Sequence, residues 1–175
     1  AIYTGYLGST KQIDYVKNIF DTMGTESCIK IVDPAMADNG KLYPAFDKNY
    51  VEAMKTLCTY ADIVLPNITE ACLLTGEPYQ ESYDNTYITN ILEKMSAMGM
   101  KTIVLTGVSF NEDTTGVMIY TDKSVQYYEH KKLSGGSHGT GDVYASTFTG
   151  ALLREHSIFD AAKIAADYTV KCIEN

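Results

Sequence analysis

Eight consecutive residues, Gly135-Gly136-Ser137-His138-Gly139-Thr140-Gly141-Asp142, stand directly before an apolar helical pattern formed by Val143, Tyr144, Ala145, Phe148, Ala151 and Leu152. A glycine-rich turn feeding a helix start aims several backbone N–H groups and the positive end of the helix dipole at one point, which suits an anion. Glycine carries no Cβ, so the backbone can approach a phosphate closely. Asp142 sits at the mouth of that site, where a carboxylate beside an anion is unfavourable unless it serves the chemistry. The chemistry it suits is acceptance of a proton from a hydroxyl that attacks phosphorus. The structural alternative is plain capping, with Asp142 favoured in the first turn by the dipole.

These residues need a scaffold, and the rest of the chain supplies one. Short apolar runs at Ile2-Tyr3, Cys28-Ile29-Lys30-Ile31-Val32, Ile63-Val64-Leu65 and Thr102-Ile103-Val104-Leu105 read as strands. Helical patterns lie between them: one capped by Ser9 with Ile13, Val16, Ile19, Phe20 and Met23 on one face, then 50–60, 69–75 (stopped by Gly76) and 87–98 (stopped by Gly99). Residues 116–120 and 124–129 alternate as a hairpin around Thr121-Asp122-Lys123, and helices over 140–154 and 158–173 close the chain. Buried strands alternating with amphipathic helices predict a parallel sheet covered on both faces, in a single domain over 1–175. Polar punctuation follows each strand: Gly5-Tyr6, Asp33, Asn67 and Thr106-Gly107. In open α/β sheets the ligand crevice lies beyond the carboxyl ends of the strands, so these residues should meet there.

Composition bounds the partners. The net charge of −8 argues against nucleic acid and anionic membranes. It also means that phosphate binding has to be local, through backbone amides and a divalent cation. No long apolar run predicts a transmembrane helix, and the first residues do not read as a signal peptide. Cys28, Cys58, Cys72 and Cys172 are widely spaced among apolar neighbours, which predicts buried, reduced thiols in a cytoplasmic protein and no structural zinc. The chain starts without Met inside a strand pattern, so an incomplete N-terminus is expected.

Two further loops carry carboxylates. Asp33 and Asp38 flank the turn-rich Asp33-Pro34-Ala35-Met36-Ala37-Asp38-Asn39-Gly40. Hard oxygen ligands of this kind suit Mg²⁺ held through waters, and the same residues are also ordinary turn chemistry. In Pro66-Asn67-Ile68-Thr69-Glu70, spacing favours a capping role, with Asn67 as N-cap and Glu70 in the first turn. The functional alternative has Glu70 organise a metal or water at the phosphates. His130, His138 and His156 show no ligand spacing. His138, within the glycine-rich turn, reads as a solvent-facing loop residue.

In order along the chain, Thr4-Gly5-Tyr6-Leu7-Gly8, the Asp33 to Gly40 loop, Pro66-Asn67-Ile68-Thr69-Glu70-Ala71, Val104-Leu105-Thr106-Gly107 and Gly139-Thr140-Gly141-Asp142 resemble the pyridoxal kinases of the ribokinase-like superfamily. The resemblance implies a three-layer αβα sandwich with a mostly parallel central sheet, often a homodimer. It implies transfer of the ATP γ-phosphate, with Mg²⁺, to the 5′-hydroxyl of a vitamin B6 vitamer (pyridoxal, pyridoxamine or pyridoxine) in pyridoxal 5′-phosphate salvage. By the same resemblance Asp142 is the catalytic base and meets the substrate, and Gly139, Thr140 and Gly141 form the anion hole. Asp33, Asn67, Glu70, Thr106 and Gly107 lie on the nucleotide side. Asp38 and Glu70 lie near the metal, and Tyr6 lines the pyridine pocket. The family's DPVMGD-like loop differs here at Ala35 and Ala37. Thr106 stands where some relatives carry Lys, which leaves a monovalent-cation contact open there. The family also has an N-terminal strand and helix that supply part of the vitamin pocket, and without them a sheet edge is exposed. Two alternatives remain: a hydroxymethylpyrimidine (phosphate) kinase of the same superfamily, which commonly carries Cys at the Asp142 position, and a fragment that binds nucleotide without turnover. A Rossmann dehydrogenase is disfavoured, since no early GxGxxG follows a first strand.

Overall fold

Strands that are apolar on both faces require helices on both sides, and the chain supplies them in alternation. The computed structural model describes residues 1–133 and 139–174. Gly135, Gly136, Ser137 and His138 of the glycine-rich turn lie outside the described residues. The elements in order are β1 (Ile2–Thr4), α1 (Thr10–Met23), β2 (Lys30–Val32), β3 (Ala37–Asp38), β4 (Lys41–Leu42), α2 (Lys48–Tyr60), β5 (Ile63–Val64), α3 (Ile68–Thr75), α4 (Asn85–Ala97), β6 (Thr102–Val108), β7 (Thr114–Thr121), β8 (Ser124–Lys131), α5 (Thr140–Leu152) and α6 (Ile158–Glu174).

The main sheet has the order β1-β2-β5-β6-β7-β8. Its first four strands are parallel, and β7 and β8 add an antiparallel hairpin. Residue alternation splits the sheet cleanly. Val32, Val64, Ile103 and Leu105 face one core with Phe20, Met54, Leu57 and Ile91, beneath α1 to α4. Ile31, Ile63, Val104 and Ile119 face the other with Phe148, Ala161 and Ala165, beneath α5 and α6. The period of two that separates successive side chains thus gives three layers. This is the expected α/β sandwich with a mostly parallel central sheet.

Local chemistry sets the element ends. Asp47, Asn67 and Asp84 cap α2, α3 and α4 by accepting from Tyr50 N, Glu70 N and Tyr87 N at 2.9, 2.9 and 2.8 Å. The β7–β8 turn places Asp122 and Lys123 at φ 50 and 64°, the paired positive values of a tight hairpin.

The structure differs from the sequence reading in several details. On α1 the buried residues are Ile13, Val16 and Phe20, whereas Ile19 and Met23 are exposed. Six and ten positions from Ile13 turn a helix off that face. Strand β6 does not end at Thr106-Gly107 but continues to Val108, with a register shift between Thr106 and Val108. The Asp38-Asn39-Gly40 turn is the tip of a second, two-stranded hairpin, β3–β4, with Asn39 and Gly40 at φ 50 and 73°. Of the cysteines, Cys58 and Cys72 are buried, Cys28 is half-buried and Cys172 is exposed near the end of α6; all four are free. Among the described residues no helix is long and apolar enough to cross a membrane.

Candidate active site

A parallel sheet brings the ends of β1, β2, β5 and β6 to one edge, and a cleft of about 600 Å³ opens there. Tyr6, Asp33, Asn67, Glu70, Thr106, Gly107, Gly139, Thr140, Gly141 and Asp142 all line it. Ten of the residues singled out in the sequence, drawn from five separate segments, therefore share one cavity. Asp38 is the exception. It is exposed on the β3–β4 hairpin, off the cleft lining, and its carboxylate accepts from Asn39 N and Nδ2, each at 2.9 Å. The Asn-Gly tip turns its side chain to local bonding, so Asp38 stands apart from the other ten residues.

The first loop after β1 is pinned to the start of α2. Tyr50 Oη donates to Leu7 O at 2.6 Å, and Phe46 stacks on Tyr50 at 3.8 Å while meeting Tyr6 at 5.3 Å. Tyr6 itself remains 56% exposed, so its ring is available at the cleft wall.

Glu70 and Asn67 form a clip. Asn67 caps α3, and Glu70 Oε2 accepts from Asn67 N at 2.9 Å, completing a capping box. Glu70 Oε1 reaches across to accept from Met36 N and Ala37 N at 2.9 and 3.4 Å, while Asn67 Nδ2 donates to Ala37 O at 2.8 Å. The capping reading is thus present, and it extends further: α3 holds the loop that carries Asp33. Asp33 in turn accepts from Ala35 N at 3.0 Å through Oδ1.

Glu70 is 2% exposed and Asp33 9%. Burial pushes the pKa of each carboxyl up; Asp33 pushes Glu70 further, and Asp142 pushes Asp33, against the lowering effect of their backbone N–H bonds. The cleft lining contains no Lys or Arg, and His130 is its one basic side chain among the described residues. Three carboxylates therefore converge with little cationic compensation. Among the described residues no group of three or more His, Cys, Asp or Glu side chains is placed so that it could hold a metal ion.

Opposite them lies the start of α5. Gly139 is the N-cap at φ 88°, a left-handed conformation that favours glycine, and among the described residues no side chain caps the helix. The first intrahelical bond runs from Val143 N to Gly139 O at 3.1 Å. The amides of Thr140, Gly141 and Asp142 therefore precede the helix ladder and have no hydrogen-bond partner among the described residues, so they can meet an anion. A Cβ at Gly139 or Gly141 would have nothing within 4 Å among the described residues, which leave open space over both. Gly141 has no positive φ; of the two, Gly139 alone needs glycine's backbone freedom. Asp142 is exposed in the first turn.

Thr106 N donates to Pro66 O at 2.9 Å, and an isolated bridge joins Asn67 to Thr106. The residues that follow β5 are thereby locked beside Thr106 of β6. The sequence reading missed the far wall: Ala166, Thr169, Val170 and Ile173 of α6, facing Thr115, Val117 and His130 of β7 and β8. The three- and four-residue spacing of the α6 positions was a legible helix face. What it faced was not legible, because that depends on α6 folding back beside β7. His156 is not on the cleft, and His138 lies outside the described residues.

This geometry, an α/β sandwich with an uncapped helix start and a carboxylate facing it across a strand-end cleft, defines a ribokinase-like fold. The chain matches the phosphomethylpyrimidine kinase family over residues 1–175 and belongs to it. It is similar to the hydroxymethylpyrimidine/phosphomethylpyrimidine kinase of Bacillus subtilis, with 26% identity over 177 residues covering 100% of this chain and 64% of that protein. A crystal structure of pyridoxal kinase from Lactobacillus plantarum superposes with a TM-score of 0.89 at 33% identity, covering 98% of this chain and 61% of that one. A Bacteroides thetaiotaomicron chain assigned as a phosphomethylpyrimidine kinase, in a crystal form with pyridoxal, gives 0.89 at 32% identity over 97% of this chain and 61% of that one. The chain thus spans a little over three-fifths of the length of these relatives.

Proposed function

We propose that this chain carries the nucleotide site and catalytic base of a kinase that transfers the ATP γ-phosphoryl group to the 5′-hydroxyl of a B6 vitamer. The observation that carries the reading is the juxtaposition of Asp142 with the uncapped amides of Thr140 and Gly141 at the strand-end cleft. The amides receive the phosphates, and Gly139 gives the turn that presents them. The alcohol's proton passes to the Asp142 carboxylate as its oxygen forms the new P–O bond. The bond between the γ-phosphorus and the β–γ bridging oxygen breaks, and ADP departs with the electron pair. Asn67, Thr106 and Gly107 flank the nucleotide, and Tyr6 offers its ring to the acceptor's heteroaromatic ring.

The donor set fits a hydrated Mg²⁺ arriving with ATP. Asp33 Oδ2 has no hydrogen bond among the described residues, and Glu70 has used three of its roughly four lone-pair sites. Asp33 and Glu70 would hold such an ion through its waters, and it would supply neutralisation of the β- and γ-phosphates. The absence of Lys and Arg from the described lining supports this reading.

A second acceptor, hydroxymethylpyrimidine or its phosphate, is favoured by the family description and the Bacillus relative. Pyridoxal and hydroxymethylpyrimidine both present a hydroxymethyl group on a six-membered nitrogen ring. The B6 reading rests on the pyridoxal kinase and pyridoxal-bound structures, which are similar to this chain at 33 and 32% identity. The test is kcat/KM of the full-length protein for pyridoxal against hydroxymethylpyrimidine, with ATP and Mg²⁺. A preference for pyridoxal supports the reading, and a preference for the pyrimidine overturns it.

A further inference from the structure

The far wall of the cleft is built from two elements, and a polar cluster at its rim ties them together. Strand β8 supplies Tyr128, and α6 supplies Phe159, Lys163 and Asp167, four residues apart along one helix face. The Tyr128 hydroxyl donates to Asp167 Oδ1. Lys163 Nζ donates to Asp167 Oδ2 at 2.7 Å and lies 4.8 Å from the centre of the Tyr128 ring. Phe159 meets the same ring edge-on at 6.4 Å. Burial alone would raise the Asp167 carboxyl; the bonds from Lys163 and Tyr128 outweigh it and hold the carboxyl below its ordinary range. Asp167 is therefore a charged acceptor at neutral pH.

The register shows what this clasp holds in place. Thr106 of β6 pairs with Val117 of β7, and Val117 pairs with Tyr128 of β8. Directly paired residues share one face of a sheet, so the three form a row. Val117 belongs to the core beneath α5 and α6, and Tyr128 packs against it, so the row lies on that side. Thr106 and Val117 line the cleft, as do Ala166 and Val170 on either side of Asp167 in the chain. The row thus runs from the nucleotide side at Thr106 to the clasp at its outer end. The face that α6 turns inward is Ala161, Ala162, Ala165 and Ala166, all buried. Side chains this short make shallow ridges, which resist sliding less than large ones do. The seat of α6 over the row then depends on the clasp.

We infer that Tyr128, Asp167 and Lys163 are positioning residues for the nucleotide, which fix α6 against β8 and so set the width of the cleft between α6 and β7. The inference rests on the reading of Thr106 as a nucleotide-side residue given above. None of the three lines the cleft, so they act through Ala166, Thr169 and Val170 and touch no ligand themselves. An exposed ion pair contributes little to global stability, so the clasp should be read in binding rather than in unfolding.

The experiment is Tyr128→Phe and Asp167→Ala, singly and together, in the full-length protein, with ADP as the probe. Each single variant should raise the ADP Kd by calorimetry on the order of 3–10-fold, the scale of one supporting hydrogen bond. The acceptor KM at saturating ATP should stay within about twofold. The double variant should bind ADP no more weakly than the weaker single one, because both remove the same bond. Asp167→Asn, which keeps an oxygen for the Tyr128 hydroxyl, should return ADP affinity to within about twofold of the wild type. ADP affinity unchanged in both single variants overturns this inference alone, whatever their melting temperatures. Additive losses in the double variant also overturn it, since the two side chains would then act separately. A wild type that binds no ADP, or an acceptor KM that rises in the variants while ADP affinity holds, overturns both this inference and the nucleotide-side reading of Thr106.

Discussion

Replacing Glu70 tests whether α3 organises the site or merely stands beside it. In Glu70→Ala, three backbone donors, Met36 N, Ala37 N and Asn67 N, lose a carboxylate that is 2% exposed. Bonds to a charged acceptor contribute roughly 1.5–3 kcal/mol each. The 3.4 Å contact to Ala37 is the weak member. Against this, removing a carboxylate that burial and Asp33 already disfavour in its charged form returns part of the loss. The net cost should be about 3–4 kcal/mol, which for a chain of this size lowers the melting temperature by roughly 6–16 °C. Glu70→Gln keeps one oxygen for Met36 and Ala37 but turns an amide donor toward Asn67 N–H. It loses one bond and the buried charge together, for about 1 kcal/mol. Urea and thermal unfolding of the two variants, with hydrogen exchange at the Met36 and Ala37 amides, provide the measurement. Equal stability losses in Ala and Gln, or a loss below about 1 kcal/mol in Ala, would refute the clip.

Two further outcomes follow from the same geometry. Because Asp33 and Glu70 hold protons more tightly folded than unfolded, the apo protein should lose stability as pH rises from the ordinary carboxylate range toward their raised values. This decline should be shallower in Glu70→Gln, and a wild-type melting temperature that rises across that interval would contradict it. Gly141→Val should keep its fold, since no described residue lies within 4 Å of the new Cβ and φ is not positive there, yet weaken ADP binding about tenfold or more by filling the space over the amides; an unchanged Kd by calorimetry would reduce the turn to a cap.

Much of the scaffold was legible because it depends on local pattern. Ile31-Val32, Ile63-Val64 and Val104-Leu105 each place alternate residues in opposite cores, which fixes a doubly covered sheet before any contact is known. The strand-end residues Asp33, Asn67 and Thr106 were legible for the same reason, since parallel strands bring their carboxyl ends to one edge. Three features depended on tertiary contacts that sequence spacing does not encode. Asp38 read as a partner of Asp33, but Asn39-Gly40 closes a hairpin that carries it off the cleft lining. Glu70 read as a cap, and its second task, holding Met36 and Ala37, spans more than thirty residues of chain. Tyr3 read as a strand residue, and the burial of its hydroxyl without a partner among the described residues becomes visible only in the fold.

The central claim is that Asp142 removes the acceptor's proton, and Asp142→Asn tests it most directly. Asparagine is nearly isosteric and leaves the amides of Thr140 and Gly141 in place, but it cannot accept the proton. In the full-length protein, kcat for phosphorylation of the preferred alcohol should fall about 10²–10⁴-fold while the ADP dissociation constant, measured by calorimetry on the same preparation, changes little. Near-normal kcat in Asp142→Asn would contradict the account. So would a loss of turnover fully matched by a loss of nucleotide binding.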